Sequence, residues 1–161
     1  MSASRRPLPA AARTTAEAIV DAVAAARVAD PAAYQDAAAR MSTLDPDRLG
    51  TVQGAVLRSL LEDLHPGGFD GEDIKAVIEG CMRSAVGWFP DANAEVLIVV
   101  LAGALGIADP DDLPESVNHA AVTRHAPLLI AGLLAVDDRD LDGYLDRAFT
   151  EIARAETVEL P

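Results

Sequence analysis

The residues that come closest to a chemical site form an acidic stretch at positions 138–143, DRDLDG. Carboxylates at its first, third and fifth positions and a glycine at its sixth match the start of an EF-hand calcium loop. The twelfth position of such a loop is a bidentate glutamate, and here it is Phe149. Leu141, Leu145 and Phe149 also have helical spacing, and a helix cannot wrap its side chains around an ion. We therefore predict no calcium site and expect Asp138 to cap a helix.

The three histidines do not form a recognisable metal site either. Glu115 and His119 lie four residues apart and would share one helical face, but a zinc ion needs at least one further ligand. His125 follows six residues later, beyond an expected break in the helix. His65 belongs to a His-Pro-Gly-Gly turn sequence. The sequence therefore predicts no bound metal.

The chain also lacks a signature for covalent catalysis. Cys81, its one cysteine, lies on an apolar helical stripe, where a cysteine behaves as a small buried hydrophobe. No Cys-x-x-Cys or Gly-x-Ser-x-Gly motif occurs, and the glycine pairs at 67–68 and 103–106 do not match a phosphate-binding loop. The sequence leaves enzymatic activity open but favours its absence, and it indicates no catalytic residue and no cofactor.

Composition excludes several classes of partner. The net charge of −13 argues against nucleic acid and against an anionic membrane surface, because both are bound through clustered Lys and Arg. The longest apolar run, residues 96–108, is shorter than the about 20 residues that span a bilayer. Residues 1–15 lack the apolar core of a secretory signal, so we expect a cytoplasmic protein.

Helix start signals recur along the chain. Asp30, Asp45 and Asp109 each stand before a proline, which combines a capping carboxylate with proline at the first helical position. Thr14 and Glu17 have the spacing of a capping box, and Asp70 precedes an acidic first turn. We predict a disordered tail over residues 1–13 and a single helical domain over 14–161.

Five segments have apolar patterns that predict helices. Residues 49–64, 74–88 and 141–152 each carry one apolar stripe, as amphipathic helices do. Residues 96–105 and 128–136 are apolar on all sides, so either both are central or one of them packs against another subunit. The residues that we consider for contact with a protein partner come from these segments and from a helix end, and they are Trp88, Phe89, Val99 and Leu133.

An internal similarity links several of these helices. Residues 54–61, 93–100 and 125–132 are each followed by a loop and then by an Asp and an aliphatic residue, Asp73-Ile74, Asp112-Leu113 and Asp140-Leu141. The first two units are offset by 39 residues, from Ala55 to Ala94 and from Ile74 to Leu113, while the third is shortened. A period of this size resembles HEAT-like two-helix repeats, and a plain bundle whose helices all need caps explains the same pattern. The predicted fold is all-α with about eight helices, arranged as tandem helical hairpins or as a compact orthogonal bundle.

These observations favour a non-enzymatic module that binds or assembles with protein, with a homodimer as the simplest assembly. The alternative is a helical domain that binds or converts a small molecule in an apolar pocket. A polar group projecting into an apolar cavity would favour that alternative, whereas an extended groove or a two-fold interface would favour the protein partner.

Overall fold

The computed structural model describes residues 8–109 and 112–159, and this part of the chain contains seven helices and no strand. The helices are α1 (Ala10–Arg27), α2 (Pro31–Met41), α3 (Pro46–Leu64), α4 (Gly71–Ala85), α5 (Ala94–Ala104), α6 (His119–Val136) and α7 (Leu141–Glu159). The all-α prediction is confirmed.

Three of the predicted caps lie where the sequence places them. The Asp30 carboxylate accepts a hydrogen bond from the Ala33 N–H at 3.1 Å, and Asp45 caps α3 in a similar way. Asp70 caps α4 within a reciprocal capping box with Asp73, and the Asp73 N–H holds the pKa of the Asp70 carboxyl below its usual value. Each cap satisfies amide donors that the first turn of a helix leaves without partners.

The predicted start of the first helix is too late. α1 begins at Ala10, after Pro9, and Ala12 is buried, so residues 10–13 are helical rather than part of a tail. Thr14 lies inside the helix and bonds back to the Ala10 carbonyl, so it is not a cap. Alanine has the highest helix propensity, which extends the helix ahead of the threonine. The rest of the predicted tail, residues 1–7, lies outside the described residues.

The helix predicted after Asp109 is also wrong, because residues 112–118 are not helical, while positions 110 and 111 lie outside the described residues. The next helix instead begins at His119, where the Asn118 side chain accepts a hydrogen bond from the Ala121 N–H at 2.7 Å. Of the described part of this connection, Val117 is buried and the Ser116 hydroxyl donates to the Glu95 carboxylate of α5.

α6 is the central helix, since it packs against α1, α3, α4 and α5. Its length and apolar composition would suffice to cross a membrane, but a buried core helix passes the same test, and half of α6 is buried here. α5 packs against α3, α4 and α6 and keeps one side open, with Ile98 50% exposed. Of the two all-apolar segments, one is therefore central and the other lies at the edge of the bundle.

Pro127 interrupts the hydrogen-bond pattern of α6. A proline has no N–H, so the carbonyl four residues earlier, at Thr123, loses its helical partner. The buried side chain of Gln53 on α3 donates to that oxygen through Nε2 at 3.4 Å. The hydroxyl of Tyr34 on α2 donates to the next carbonyl, at Arg124. Side chains from two other helices therefore satisfy the backbone beside the proline.

The packing does not follow the proposed repeat. In that hypothesis α3 pairs with α4, and α6 pairs with α7. In the structure α3 packs chiefly against α5, α6 and α7, and neither proposed pair is among the main helix contacts. The arrangement is that of a helical bundle, the second of the two predicted architectures.

Candidate binding cleft

The four residues considered for protein contact occupy different places. Phe89 and Leu133 are buried in the core of the chain, at 5% and 3% exposure, so they present no surface to a partner. Trp88 is partly buried, packs edge-on against Tyr34 at 5.2 Å and donates its indole N–H to the Ser84 carbonyl. Val99 on α5 is partly buried and faces a cleft described below.

The acidic stretch at 138–143 is the start of a helix, but Asp138 is not the cap. Asp138 has a positive φ of 45°, whereas capping residues have extended backbone, and its carboxylate lies 3.6 Å from Arg27. Asp140 accepts from the Asp142 N–H at 3.1 Å and takes the capping role just before α7. Within residues 8–109 and 112–159, no three His, Cys, Asp or Glu side chains converge closely enough to hold a metal ion.

A cleft of the kind that the alternative function requires lies between α3, α5 and α6. It has a volume of about 570 Å³, and residues of the connection between α5 and α6, among them Leu113 and Pro114, close one side. Ligand pockets in proteins commonly measure roughly 300–1,000 Å³. The cleft is therefore large enough for a small organic molecule.

The walls of the cleft are built largely from small and apolar residues. α3 contributes Gly50 and Gly54, and α5 contributes Val99, Ala102 and Gly103. A Cβ atom added at any of these three glycines would meet nothing within 4 Å, so the space above them is open. Small side chains leave this volume unfilled, whereas larger ones would occupy it.

Polar groups lie along the α3 side of the cleft. Asp47, Thr51 and Arg58 share the face of α3 that carries the two glycines. Asp47 and Arg58 are eleven residues apart, which on a helix corresponds to about 16 Å. Gln53, which is buried, also lines the cleft while bonding to the Thr123 carbonyl. The cleft thus combines an apolar lining with a carboxylate near one end of its α3 wall and a guanidinium near the other.

The histidines differ in their surroundings. His119 is exposed at the start of α6 and lines the cleft, and no described group of side chains joins it in a metal site. His65 packs edge-on against Phe69 and lies 3.9 Å from Asp73. His125 is 4% exposed, and both of its ring nitrogens are hydrogen-bonded to the backbone. Burial lowers the pKa of His125, so its imidazole is neutral at pH 7.

Cys81 lies in the core, as predicted from its apolar stripe. Burial raises the pKa of its thiol to about 12, so almost none of it is thiolate at neutral pH. The reactive form of a cysteine is the thiolate, and the structure therefore offers no nucleophile at this position.

A polar cluster joins the end of α3 to the start of α7. The Tyr144 hydroxyl donates to the Asp63 carboxylate at 2.9 Å and accepts from the Arg139 guanidinium at 2.9 Å. Burial and the bond to Asp63 raise the pKa of Tyr144. Arg147 approaches the same carboxylate at 3.4 Å. Because its charges are paired within the chain, the cluster serves to hold α7 in place.

No protein-family model, curated protein or solved structure matches this chain. The cleft can enclose an apolar group, and Asp47, Thr51, Arg58 and His119 are among the polar side chains that line it.

Proposed function

We propose that this chain is a non-enzymatic binding protein that holds a small apolar molecule in the cleft between α3, α5 and α6. The observation that carries the proposal is a volume of about 570 Å³ lined mainly by apolar residues, many of them small, together with polar side chains such as Asp47, Thr51 and Arg58. Apolar lining with a few well-placed polar groups is the usual character of small-molecule sites.

The glycines of α3 add support. Glycine in the middle of a helix is less favourable than alanine by about 0.5–1 kcal/mol. Neither Gly50 nor Gly54 contacts a neighbour so closely that a Cβ atom would clash. Packing within the chain therefore does not require glycine at either position. The same open space lies above the other glycines of the chain, so Gly50 and Gly54 are distinguished by lining the cleft, where a ligand can lie directly on the α3 backbone.

The uncharged apolar dye Nile red tests the proposal. We expect saturable binding to the intact chain. In Gly54→Leu we expect the affinity to fall at least about tenfold, because the leucine side chain would fill the cleft. The matched control is Gly132→Leu, since Gly132 is an exposed glycine of α6 with equally open space that does not line the cleft. Equal losses in both variants, or no loss in Gly54→Leu, would contradict the proposal.

A second candidate function is assembly, as the sequence predicted, and we infer it from the open side of α5. Ile98 is 50% exposed and Ile107, shortly after the helix, is 70% exposed. Monomeric proteins rarely expose large contiguous apolar surface, and a second copy of the chain is the commonest cover. The acidic charge and the predicted cytoplasmic location are compatible with either function, and neither function involves nucleic acid or a membrane.

Light scattering coupled to size exclusion distinguishes the two functions. A homodimer would have twice the chain mass of 16.8 kDa and would dissociate in Ile107→Glu but not in Val136→Glu, which places the same charge at an exposed valine elsewhere. A species of 16.8 kDa at all micromolar concentrations would exclude a stable dimer and would leave ligand binding as the function.

A further inference from the structure

We propose that His125 is a proton-sensitive latch that fixes the amino-terminal end of α5, and that its protonation loosens the α5 wall of the cleft. This proposal rests on the proposed function, because it takes the cleft to be a ligand-binding site. It adds that pH controls how firmly α5 is held at that site.

The latch consists of two backbone hydrogen bonds that use opposite sides of the imidazole. Nε2 lies 3.1 Å from the Asn93 nitrogen and accepts its N–H. Nδ1 lies 2.8 Å from the carbonyl oxygen of Ala121, so it carries the proton and donates. These two contacts fix one neutral tautomer. In a protonated imidazole both nitrogens are donors, and Nε2 can no longer accept the Asn93 N–H.

Asn93 is the N-cap of α5, so its bond to His125 affects how that helix begins. Its side-chain oxygen accepts from the N–H of Glu95 at 2.9 Å and of Val96 at 3.4 Å. The residue that begins the helix is therefore bonded to α6 through His125. Protonation of Nε2 would place two N–H donors against each other at the start of α5 and so remove this bond. The same helix presents Val99, Ala102 and Gly103 to the cleft, so a displaced α5 changes the shape of the site.

The charged and titratable neighbours leave the histidine as the group that responds. Arg124, next to His125 on α6, disfavours its protonation, and Asp91 favours it. The Arg124 guanidinium and the Asp91 carboxylate lie 3.6 Å apart, and the Asp91 backbone also favours protonation of the imidazole. Tyr34 on α2 and Cys81 on α4 have pKa values that burial raises, so neither is charged between pH 5 and 8. Phe89 packs edge-on against the imidazole at 5.5 Å and keeps that side apolar.

Amide hydrogen exchange tests the latch on the whole chain without any ligand. After correction for the intrinsic effect of pH, we expect the amides of residues 93–97 to exchange at least about tenfold faster at pH 5 than at pH 7.5, while those of α1 and α2 change little. In His125→Gln the glutamine oxygen can still accept the Asn93 N–H but does not titrate, so the acid effect should disappear. His65→Gln, which removes a histidine remote from α5, should retain it.

An NMR titration of the His125 ring in the unmodified chain makes the test independent of how the variants fold. The exchange of residues 93–97 should rise over the same pH range in which this ring becomes protonated. The proposal is overturned if α5 exchange does not depend on pH, if His125→Gln responds as the unmodified chain does, or if all helices open together. Nile red binding is measured in parallel. If α5 loosens as predicted but no dye binds, the latch stands and the proposed function fails.

Discussion

Two regions of the molecule share the first half of α6 and are filled in opposite ways. On one side, three of the six aromatic residues of the chain, Tyr34, Trp88 and Phe89, pack against one another, and Phe89 packs against His125. On the other side, the cleft is lined by glycine, alanine and valine and holds a volume of about 570 Å³. We call these regions the aromatic cluster and the cleft.

The difference separates stability from binding. Large rings bury much apolar area and pack at high density, so the aromatic cluster supplies rigidity where α2, α4 and α6 meet. The cleft remains unfilled, although the chain has larger side chains at other positions. Substitutions should therefore be costly in the aromatic cluster and nearly neutral for folding in the cleft.

The largest effect is expected for Tyr34→Ala. The ring is almost fully buried and its hydroxyl bonds to the Arg124 carbonyl, so its removal leaves both a cavity and an unpaired acceptor. We expect a loss of about 3–5 kcal/mol in the free energy of unfolding, measured by urea denaturation. Val99→Ala in the cleft should lose less than about 1.5 kcal/mol. Similar losses in the two variants would erase the distinction between the regions.

An intermediate loss in the free energy of unfolding is expected at the boundary of the two regions. Gln53→Ala should lower the free energy of unfolding by about 1–3 kcal/mol, because the Thr123 carbonyl beside Pro127 loses its donor. The exposed Gln35→Ala is the control and should change it by less than about 0.5 kcal/mol.

A double-mutant cycle identifies the cause of this loss. In a Pro127→Ala background the restored backbone N–H can pair with the Thr123 carbonyl, so Gln53→Ala should cost less there. An equal cost in both backgrounds would mean that Gln53 contributes by packing and not by replacing the missing helical bond.

A smaller, pH-dependent effect is expected from His125. Burial lowers its pKa in the folded chain below the about 6.5 of an exposed histidine. Between these two values the unfolded chain binds more protons, so the free energy of unfolding falls as the pH falls below about 6.5. Denaturation of the unmodified chain and of His125→Gln at pH 7.5 and pH 5.5 should show a smaller acid loss in the variant. An identical loss would place the responsible group elsewhere.

The smallest changes in the free energy of unfolding are expected at two glycines of the cleft, and they have opposite signs. Gly54→Ala should raise the free energy of unfolding by about 0.4–1 kcal/mol, since Gly54 is helical and an added Cβ would meet nothing. Gly106→Ala should lower it, because Gly106 has a positive φ of 73° that alanine tolerates poorly. Melting temperatures report both signs, and a loss in Gly54→Ala would show that the wall of the cleft is tighter than the structure indicates.

Much of the fold follows from local patterns in the sequence. The apolar stripes predicted α3, α4 and α7, and Asp30, Asp45 and Asp70 marked helix starts, because periodicity and capping act within one or two turns. The same local reasoning failed where two signals competed. An alanine run extended α1 ahead of Thr14, and the Asp109-Pro110 signal was followed by a segment that is not helical at residues 112–118.

Only the tertiary structure decided which apolar helix is central and where the chain stays unfilled. The segments 96–105 and 128–136 are both apolar on all sides, yet α6 packs against four helices and α5 keeps one side open. The cleft joins residues of α3 with residues some forty to eighty positions later, and its glycines look like ordinary helix residues in the sequence. His125 likewise gains its role only through Asn93, thirty-two residues away along the chain. Local physics specifies each helix, whereas volume, burial and long-range hydrogen bonds depend on how the helices pack.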